Sequence, residues 1–452
     1  MHSLRQYIEL YRDNRDTIEA AAAVIINRRR PEALRALEAF AEQPAPRTPY
    51  RETSADLLYA PDYGLNIGRL QFAVDLAASF RCDVPNISTL LAVVVNDTYR
   101  PGALLEKNLP AGVSVMSLAR AAAEHPEWVE PYLDSLSACA TPTAALNSLL
   151  LQDGVMVHIS RGVRLDKPIQ IVSIFNSPTA MLAVRRLLVV ADEGAAARLL
   201  LCDHSQGSGV PYLSCAVTEI FAGAGAEVEV YGIEEANADT VRVSETHARV
   251  ADGARLLLNG SFLSGGISVN DYDVRLDGDD ARADLSGLVI GGGSQCAANR
   301  VVLRHHGRRC VSRQLFKYAL FDDARGEFGG KIVVDEGATC TDAEQNNRNL
   351  LVSDGARMDS APQLEIYCDD VRCGHGSATG ELDANALFYM RQRGIPLDEA
   401  RMMLTQAFMS DVVDAVGYEP VRDRLRHLVE KRLGGEAASC ANCSAEDSLC
   451  NR

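Results

Sequence analysis

Turns that contain glycine recur at a nearly even spacing through the middle of this chain. Between residues 155 and 366 the sequence is a series of short, β-branched, alternating runs, and each turn joins a glycine to small or acidic neighbours. Repeats of about 20 to 50 residues are typical of solenoids, whereas a β-sandwich turns every ~8 to 12 residues without a longer period. The pattern therefore favours a parallel β-helix over a sandwich. The glycines are Gly194, Gly225, Gly253, Gly278, Gly307 and Gly337, roughly 25 to 31 residues apart.

Helical patterns flank the strand region on both sides. Apolar residues at spacings of three and four predict helices over residues 4–41, and Ser117 is the predicted N-cap of a further helical stretch that ends near Leu151. Helical spacing returns after Gly380, and a last helix is predicted over residues 420–433. Because the ends of a β-helix expose unpaired strand edges, we expect these helices to cover both ends. The predicted domains are a mostly helical region (1–151), a β-helix core (152–376), a C-terminal helical domain (377–433) and a flexible tail (434–452).

The charge balance excludes two classes of partner. With 45 basic and 61 acidic residues, the chain carries a net charge of −16, which gives no overall attraction to nucleic acid or to an anionic membrane surface. The sequence contains no positively flanked apolar leader and no span of about 18 apolar residues. We therefore expect a cytoplasmic protein that binds neither nucleic acid nor membrane.

Ten of the twelve cysteines fall into three groups. Single cysteines in apolar, strand-like runs are expected to be buried thiols that act as small hydrophobes, and a disulfide framework is not expected in a large cytosolic protein. A second group joins Cys368, Cys373 and His375. The third lies in the tail, where Cys440, Cys443 and Cys450 resemble part of a zinc or iron–sulfur site without a clear fourth ligand, so no specific role is favoured. The single cysteines are Cys202, Cys215, Cys296, Cys310 and Cys340.

Cys373 and His375 are the candidate ligands. Residues two apart on a β-strand point to the same face, and thiolate and imidazole are both good ligands for iron. A Cys-x-His pair in a strand is nevertheless often purely structural, and this alternative stays open for Cys373. Asp369 and Asp370 are interpreted as turn residues, because adjacent carboxylates on a strand point to opposite faces. The run from Gly291 to Ser294 lacks the lysine of a phosphate-binding loop.

Several short stretches, most of them between Gln345 and Ala407, resemble the SufB/SufD family of iron–sulfur cluster assembly scaffold proteins, and they occur in the family's order. The string from Asp369 to Gly376 favours the SufD branch of that family, although Arg372 and Gly374 stand where members often have Lys and Ser. A looser likeness lies at Tyr50-Arg51-Glu52-Thr53. The stretches are Phe328-Gly329-Gly330-Lys331-Ile332, Thr341-Asp342-Ala343 with Gln345, Asn349-Leu350-Leu351 with Ser353, Pro362-Gln363-Leu364-Glu365-Ile366, Asp369-Asp370-Val371 with Cys373 and His375-Gly376, Gly380 with Leu382-Asp383, Leu387-Phe388-Tyr389, Arg393-Gly394-Ile395 and Ala407-Phe408.

The resemblance implies a right-handed parallel β-helix flanked by helices, and a chain that is a scaffold and not an enzyme. It implies pairing with SufB and binding of the ATPase SufC through the C-terminal helices, with ATP bound only by SufC. It also implies that a transient iron–sulfur cluster forms at the SufB interface, with His375 and Cys373 as ligands from this chain and the others from SufB. The residues expected to contact SufC are Leu387, Phe388, Tyr389, Arg393, Gly394, Ile395, Met403, Ala407 and Phe408.

Two other functions are compatible with a β-helix. Many solenoids are lyases or hydrolases that act on acidic polysaccharides, but these are usually secreted, and the paired acidic and basic residues of their grooves are not evident here. A homodimeric storage scaffold is the second alternative, and it keeps the fold without the partners.

Overall fold

The computed structural model describes residues 1–75, 87–207 and 209–434, and its centre is a β-helix of two facing parallel sheets. Eight coils each contribute one strand to either sheet, which confirms the fold class predicted from the glycine spacing. Sheet 1 contains β5 (Val155–Ile159), β7 (Met181–Ala191), β9 (Tyr212–Ala222), β11 (Thr240–Val250), β13 (Ile267–Leu276), β15 (Cys296–His305), β17 (Arg325–Val334) and β19 (Arg357–Ile366). Sheet 2 contains β6 (Ile169–Phe175), β8 (Ala196–Ser205), β10 (Glu227–Glu235), β12 (Arg255–Ser264), β14 (Arg282–Gly291), β16 (Val311–Leu320), β18 (Thr341–Leu351) and β20 (Val371–Gly380).

The interior of the β-helix is filled by alternate residues of the two sheets. In β7, Leu187 and Val189 belong to the interior cluster, while Leu188 and Val190 pack outside it against the N-terminal helices. Both faces of such a strand are therefore buried, which explains why these runs are almost continuously apolar and not strictly alternating. Aligned residues of successive coils stack in register along each sheet, for example Val189 on Ile220.

The corners that lead from sheet 1 to sheet 2 explain the glycine spacing. In each of the first seven of these corners, a residue with a positive φ donates its N–H to the corner of the next coil, as from Gly194 to the Ala224 carbonyl (2.9 Å). The seventh corner holds a second residue with a positive φ, Gly337. Glycine adopts this left-handed conformation without steric cost. It fills the position only in the earlier coils; in the later ones the position is taken by Asp280, Arg309 and Cys340.

Gly278 and Gly307 recur for a different reason, since neither has a positive φ. A Cβ at Gly278 would lie 2.0 Å from the Asp252 nitrogen, and one at Gly307 would lie 2.0 Å from the Gly278 carbonyl oxygen. Stacked corners approach too closely there for any side chain. The regular spacing of glycines thus combines two separate backbone requirements.

The flanking helices cover the outer faces of the two sheets more than the ends of the β-helix. The N-terminal helices form one apolar cluster with the outer face of sheet 1, and the C-terminal helices form another with the outer face of sheet 2. The expectation that helices close both ends was therefore wrong for most of them. The helices are α1 (Arg5–Asp13), α2 (Arg15–Ala20), α3 (Val24–Asn27), α4 (Arg30–Glu42), α5 (Ala55–Leu58), α6 (Ala103–Asn108), α7 (Leu118–Glu124), α8 (Pro126–Val129), α9 (Pro142–Leu150), α10 (Ala384–Gln392), α11 (Leu397–Asp414) and α12 (Glu419–Leu433), with 3₁₀ turns at His2–Leu4 and Arg51–Thr53.

Four short strands interrupt the N-terminal helices. β2 (Leu90–Val95) and β4 (Val113–Ser117) extend the two sheets at the first coil, β3 (Thr98–Arg100) pairs with β2, and β1 (Gly64–Leu65) pairs with β7. The predicted N-cap is confirmed, since the Ser117 hydroxyl accepts a hydrogen bond from the Arg120 N–H (3.2 Å). Leu105 of α6 is buried in the interior cluster and closes this end of the β-helix.

The Tyr50-to-Thr53 motif fastens the N-terminal region to a late coil. The Thr53 hydroxyl donates to Glu327 of β17 (3.0 Å), and Arg325 of the same strand lies 5.9 Å from the centre of the Tyr50 ring. Within the part of the chain that the structure describes, no helix is long and apolar enough to cross a membrane.

Candidate functional site at the end of the last coil

The candidate ligands lie on β20, the last strand of sheet 2. Among the described residues, no strand pairs with the outer edge of β20 or with that of β19, the last strand of sheet 1. Side chains along both strands are exposed or only half-buried, in contrast to the buried strands of earlier coils. The β-helix therefore has an open end, and its interior face is accessible there.

Both candidate side chains face that interior. Cys373 is paired in register with Ala343 of β18, and His375 with Gln345, and both partners on β18 are buried inside the β-helix. The prediction that the two residues share one face of a strand is therefore confirmed. The intervening Gly374 is paired with the exposed Glu344 on the outer face.

Cys373 and His375 differ in their surroundings. Cys373 is half-buried against a small apolar cluster that includes Ile332, Val334 and Ala343. Burial raises the pKa of the Cys373 thiol above its usual value, although a backbone hydrogen bond at Ala343 opposes the shift. His375 is exposed. In the free chain the thiol is therefore held in its neutral form, while the imidazole is accessible to a partner.

Cys368 packs against the same apolar cluster as Cys373. It lies at the corner between β19 and β20, so the packing role predicted for it agrees with the structure. Asp369 and Asp370 lie at this corner too, as predicted.

The prediction of a buried thiol is wrong for Cys340. It is exposed at the positive-φ position of its corner, where its N–H donates to the Asp370 carbonyl (2.7 Å) and its thiol to the Asp370 carboxylate (3.2 Å). That hydrogen bond raises the pKa of Cys340. The other four single cysteines, Cys202, Cys215, Cys296 and Cys310, are buried as predicted. Cys440, Cys443 and Cys450 lie outside the described residues.

The donor set at the open end is incomplete for a metal centre. Among residues 1–75, 87–207 and 209–434, no three His, Cys, Asp or Glu side chains are grouped so as to hold a metal ion. Most iron–sulfur clusters use four protein ligands. Cys373 and His375 are therefore two ligand-type side chains, fewer than such a cluster uses.

A ladder of amides and hydroxyls lines the interior below the open end, and sequence reasoning missed it. Ser360 of β19 donates to the Asn347 side chain (2.8 Å), and Asn349 donates to Thr379 of β20 (3.1 Å). The available signal was Gln345, Asn347 and Asn349 at alternate positions of one strand. One coil deeper, on β16, the register partners of Asn347 and Asn349 are Phe316 and Tyr318, so the inner face of sheet 2 becomes more polar toward the open end.

The residues predicted to contact SufC divide into two groups. Phe388, Tyr389 and Met403 are exposed by 64%, 57% and 43%, and no residue of α10 is buried. Tyr389 accepts a hydrogen bond from Arg393 (2.8 Å), which also lies over its ring. Arg393, Gly394 and Ala407 are exposed as well, whereas Leu387, Ile395 and Phe408 are half-buried.

Phe408 faces the body of the protein. The ammonium group of Lys317 on β16 lies 4.8 Å from the centre of its ring and donates to its carbonyl oxygen (2.6 Å). Phe408 therefore helps to hold α11 against sheet 2 and does not belong to the exposed surface. The large exposed side chains of α10 and α11 are Phe388, Tyr389 and Met403.

The fold and the open end define a class of protein: a β-helix whose last coil carries a thiol and an imidazole on its inner face at an uncovered end. Two family models match the chain. The SufBD core domain of SUF-system iron–sulfur cluster assembly matches residues 174–408, and the SufBD N-terminal region matches residues 1–171. The chain belongs to the SufB/SufD family of the SUF iron–sulfur cluster assembly system.

Similar proteins agree with this assignment. An iron–sulfur cluster assembly SufBD family protein of Synechocystis is 27% identical over 373 residues, which cover 80% of this chain and 81% of that protein. The SufD proteins of Bacillus subtilis and Escherichia coli are 25% and 32% identical. Those matches cover 78% and 42% of this chain, and 81% and 44% of the two relatives. The SufD branch suggested by the string from Asp369 to Gly376 fits these names.

Proposed function

We propose that this chain is the SufD-type scaffold subunit of a complex with SufB and the ATPase SufC, and that it has no catalytic step of its own. The observation that carries the proposal is the open end of the β-helix. Two unpaired strand edges and two ligand-type side chains face the same way there, and unpaired edges are templates for another chain. SufB is the proposed occupant of this end, and a second copy of the chain is the alternative.

The nascent iron–sulfur cluster is the cargo of this interface. His375 and Cys373 would hold it from one side, and SufB would supply the remaining ligands. A centre held by only two ligands from each side releases its cargo more readily than a closed four-ligand site in one chain.

The exposed surface of α10 and α11 is the proposed SufC docking site. Phe388, Tyr389 and Met403 give it large apolar side chains, and aromatic residues are enriched at protein interfaces. ATP would then be bound only by SufC, and this surface would transmit the movement of the ATPase to the β-helix.

Co-purification tests the partners. A tagged form of this chain, co-expressed with SufB and SufC, is expected to elute with both in size-exclusion chromatography. Phe388→Glu should release SufC and leave SufB bound. Val24→Glu is the matched control, because Val24 is equally exposed (68%) but lies on α3 in the N-terminal region. Elution of the wild-type chain alone or as a homodimer, with both partners present, would contradict the proposal.

The His375→Ala variant tests the ligand assignment. It should still form the complex, since the two strand edges are the main proposed contact with SufB, but it should lower the amount of cluster formed, measured by iron and sulfide content and by visible absorption under anaerobic conditions. Arg372→Ala changes the neighbouring outward-facing side chain of the same strand and serves as the control. An unchanged cluster yield in His375→Ala would remove this residue from the site.

A further inference from the structure

The side chain directly beneath His375 in the β-helix is Gln345. The two residues are register partners on neighbouring parallel strands, and both face the interior. Neighbouring strands lie about 4.8 Å apart, so the side chains of such partners are stacked in contact distance. Gln345 is fully buried, whereas His375 is exposed above it.

The amide of Gln345 has one hydrogen-bonding group in use and one free. Its NH₂ group donates to the Gln314 side chain of β16 (3.0 Å), which lies one coil deeper. Its carbonyl oxygen Oε1 is buried and has no hydrogen-bond partner. A buried acceptor without a partner costs about 1–3 kcal/mol, so a donor that can reach it is strongly favoured.

Gly330 of β17 makes room for this arrangement. A Cβ at Gly330 would lie 2.1 Å from the Gln345 nitrogen and 2.7 Å from Oε1. Any larger residue there would displace the amide. The glycine and Gln314 therefore hold the Gln345 side chain in place from two sides.

We propose that Gln345 is a positioning residue for His375: its Oε1 accepts a hydrogen bond from one ring N–H of the imidazole and leaves the other ring nitrogen free to bind metal. A histidine that ligates a metal almost always donates its second N–H to a carbonyl or carboxylate, which sets the tautomer and the orientation of the ring. An amide performs this task without titrating, so the acceptor is retained at every physiological pH. The inference rests on the proposed role of His375 as a cluster ligand.

The tautomer of His375 in the free chain is the first measurement. The chain is labelled with ¹⁵N-histidine and measured by NMR at pH 8.5, where imidazoles in water are neutral. The signals of His375 are identified among those of the nine histidines as the ones that disappear in His375→Ala. In the wild type we expect one tautomer to dominate. Gln345→Met keeps the length of the side chain without an acceptor and should return His375 to the mixture of tautomers seen in water.

Two further variants separate positioning from a structural effect. Gln345→Glu retains an acceptor oxygen at this place and should preserve the wild-type tautomer. Gln170→Met makes the same chemical change at a buried glutamine of β6, at the other end of the β-helix, and should leave the His375 spectrum unchanged, even if it lowers the melting temperature. An identical tautomer ratio in the wild type and in Gln345→Met would overturn the inference.

The assembled complex provides the second measurement. Loss of such a supporting hydrogen bond typically weakens metal binding by about 10- to 100-fold. Gln345→Met should therefore speed the loss of cluster to a chelator by a factor in this range, with complex formation unchanged. If His375→Ala leaves cluster yield unaltered, the proposed function fails while the tautomer result stands; if only the tautomer result fails, His375 remains a ligand without this support.

Discussion

The first and last coils of the β-helix have the same two-strand arrangement, but only the first coil is covered by other parts of the chain. At the first coil, β2, β3 and β4 extend the sheets, and α6 inserts Leu105 into the interior. At the last coil, the chain leaves β20 for a helix without a buried residue, and the interior becomes a ladder of amides and hydroxyls. The protein covers the first coil with its own residues, and we assign the end at the last coil to a partner.

The largest expected effect on stability comes from sheet 1, where the N-terminal helices cover its outer face. Arg186 on β7 is fully buried and contacts Asp134 (2.6 Å) and Glu219 (3.1 Å), so it joins the N-terminal region to sheet 1. Although burial opposes it, the Arg186 guanidinium holds the pKa of Asp134 below its usual value. Arg186→Ala leaves two buried carboxylates without their cation and should lower the free energy of unfolding by about 3–5 kcal/mol in urea titrations.

The control for Arg186 is an exposed pair on a later coil. Arg308 contacts Asp279 from a corner exposed to solvent, so Arg308→Ala should leave the urea midpoint nearly unchanged. Comparable losses in the two variants would show that burial of the ion pair does not set its importance here.

The second prediction compares the ends directly. Leu105→Ala at the closed end should lower the free energy of unfolding by about 2–3 kcal/mol, near the low end for buried leucines because a short helix can move inward. Leu364→Ala on β19 removes a half-buried side chain at the open end and should lower it by less than about 1 kcal/mol. Urea midpoints of the isolated chain measure both. An equal loss at Leu364 would mean that the open end is closed in solution.

The third prediction is a pH dependence that belongs to the middle coils of the β-helix. Glu234 of β10 lines an internal cavity of about 70 Å³, and burial, only partly offset by Arg242, raises its pKa to about 7. A raised pKa stabilises the fold fully below the unfolded value near 4.5, and this contribution is lost as the pH rises through 7. Glu234→Gln should therefore be more stable than the wild type at pH 8, and the difference should shrink at pH 5.

Urea midpoints at the two pH values test this prediction. Glu365→Gln, at a side chain in contact with solvent on the last coil, is the control and should leave the pH dependence of stability as it is in the wild type. The same advantage for Glu234→Gln at pH 5 and pH 8 would contradict the buried-carboxyl explanation.

Much of the candidate site was predictable, because strand periodicity fixes which residues share a face. The spacing of Cys373 and His375 was enough to place them together, and the resemblance supplied the reason to consider them. The amide of Gln345 was not predictable as a neighbour of His375. The two residues are 30 positions apart, and only the length of each corner decides which residues of successive coils become register partners.

The sequence by itself determined the architecture of this protein. Turn glycines at a nearly even spacing and apolar runs of similar length require coils of similar size, and the period of two along a strand assigns successive residues to the inner and outer faces. The tertiary structure decided where the helices lie, since an amphipathic helix needs an apolar surface but does not specify which one. It also decided that Cys340 is exposed while Cys310 is buried, and that one end of the β-helix stays open. These outcomes depend on contacts between distant parts of the chain, which no local pattern encodes.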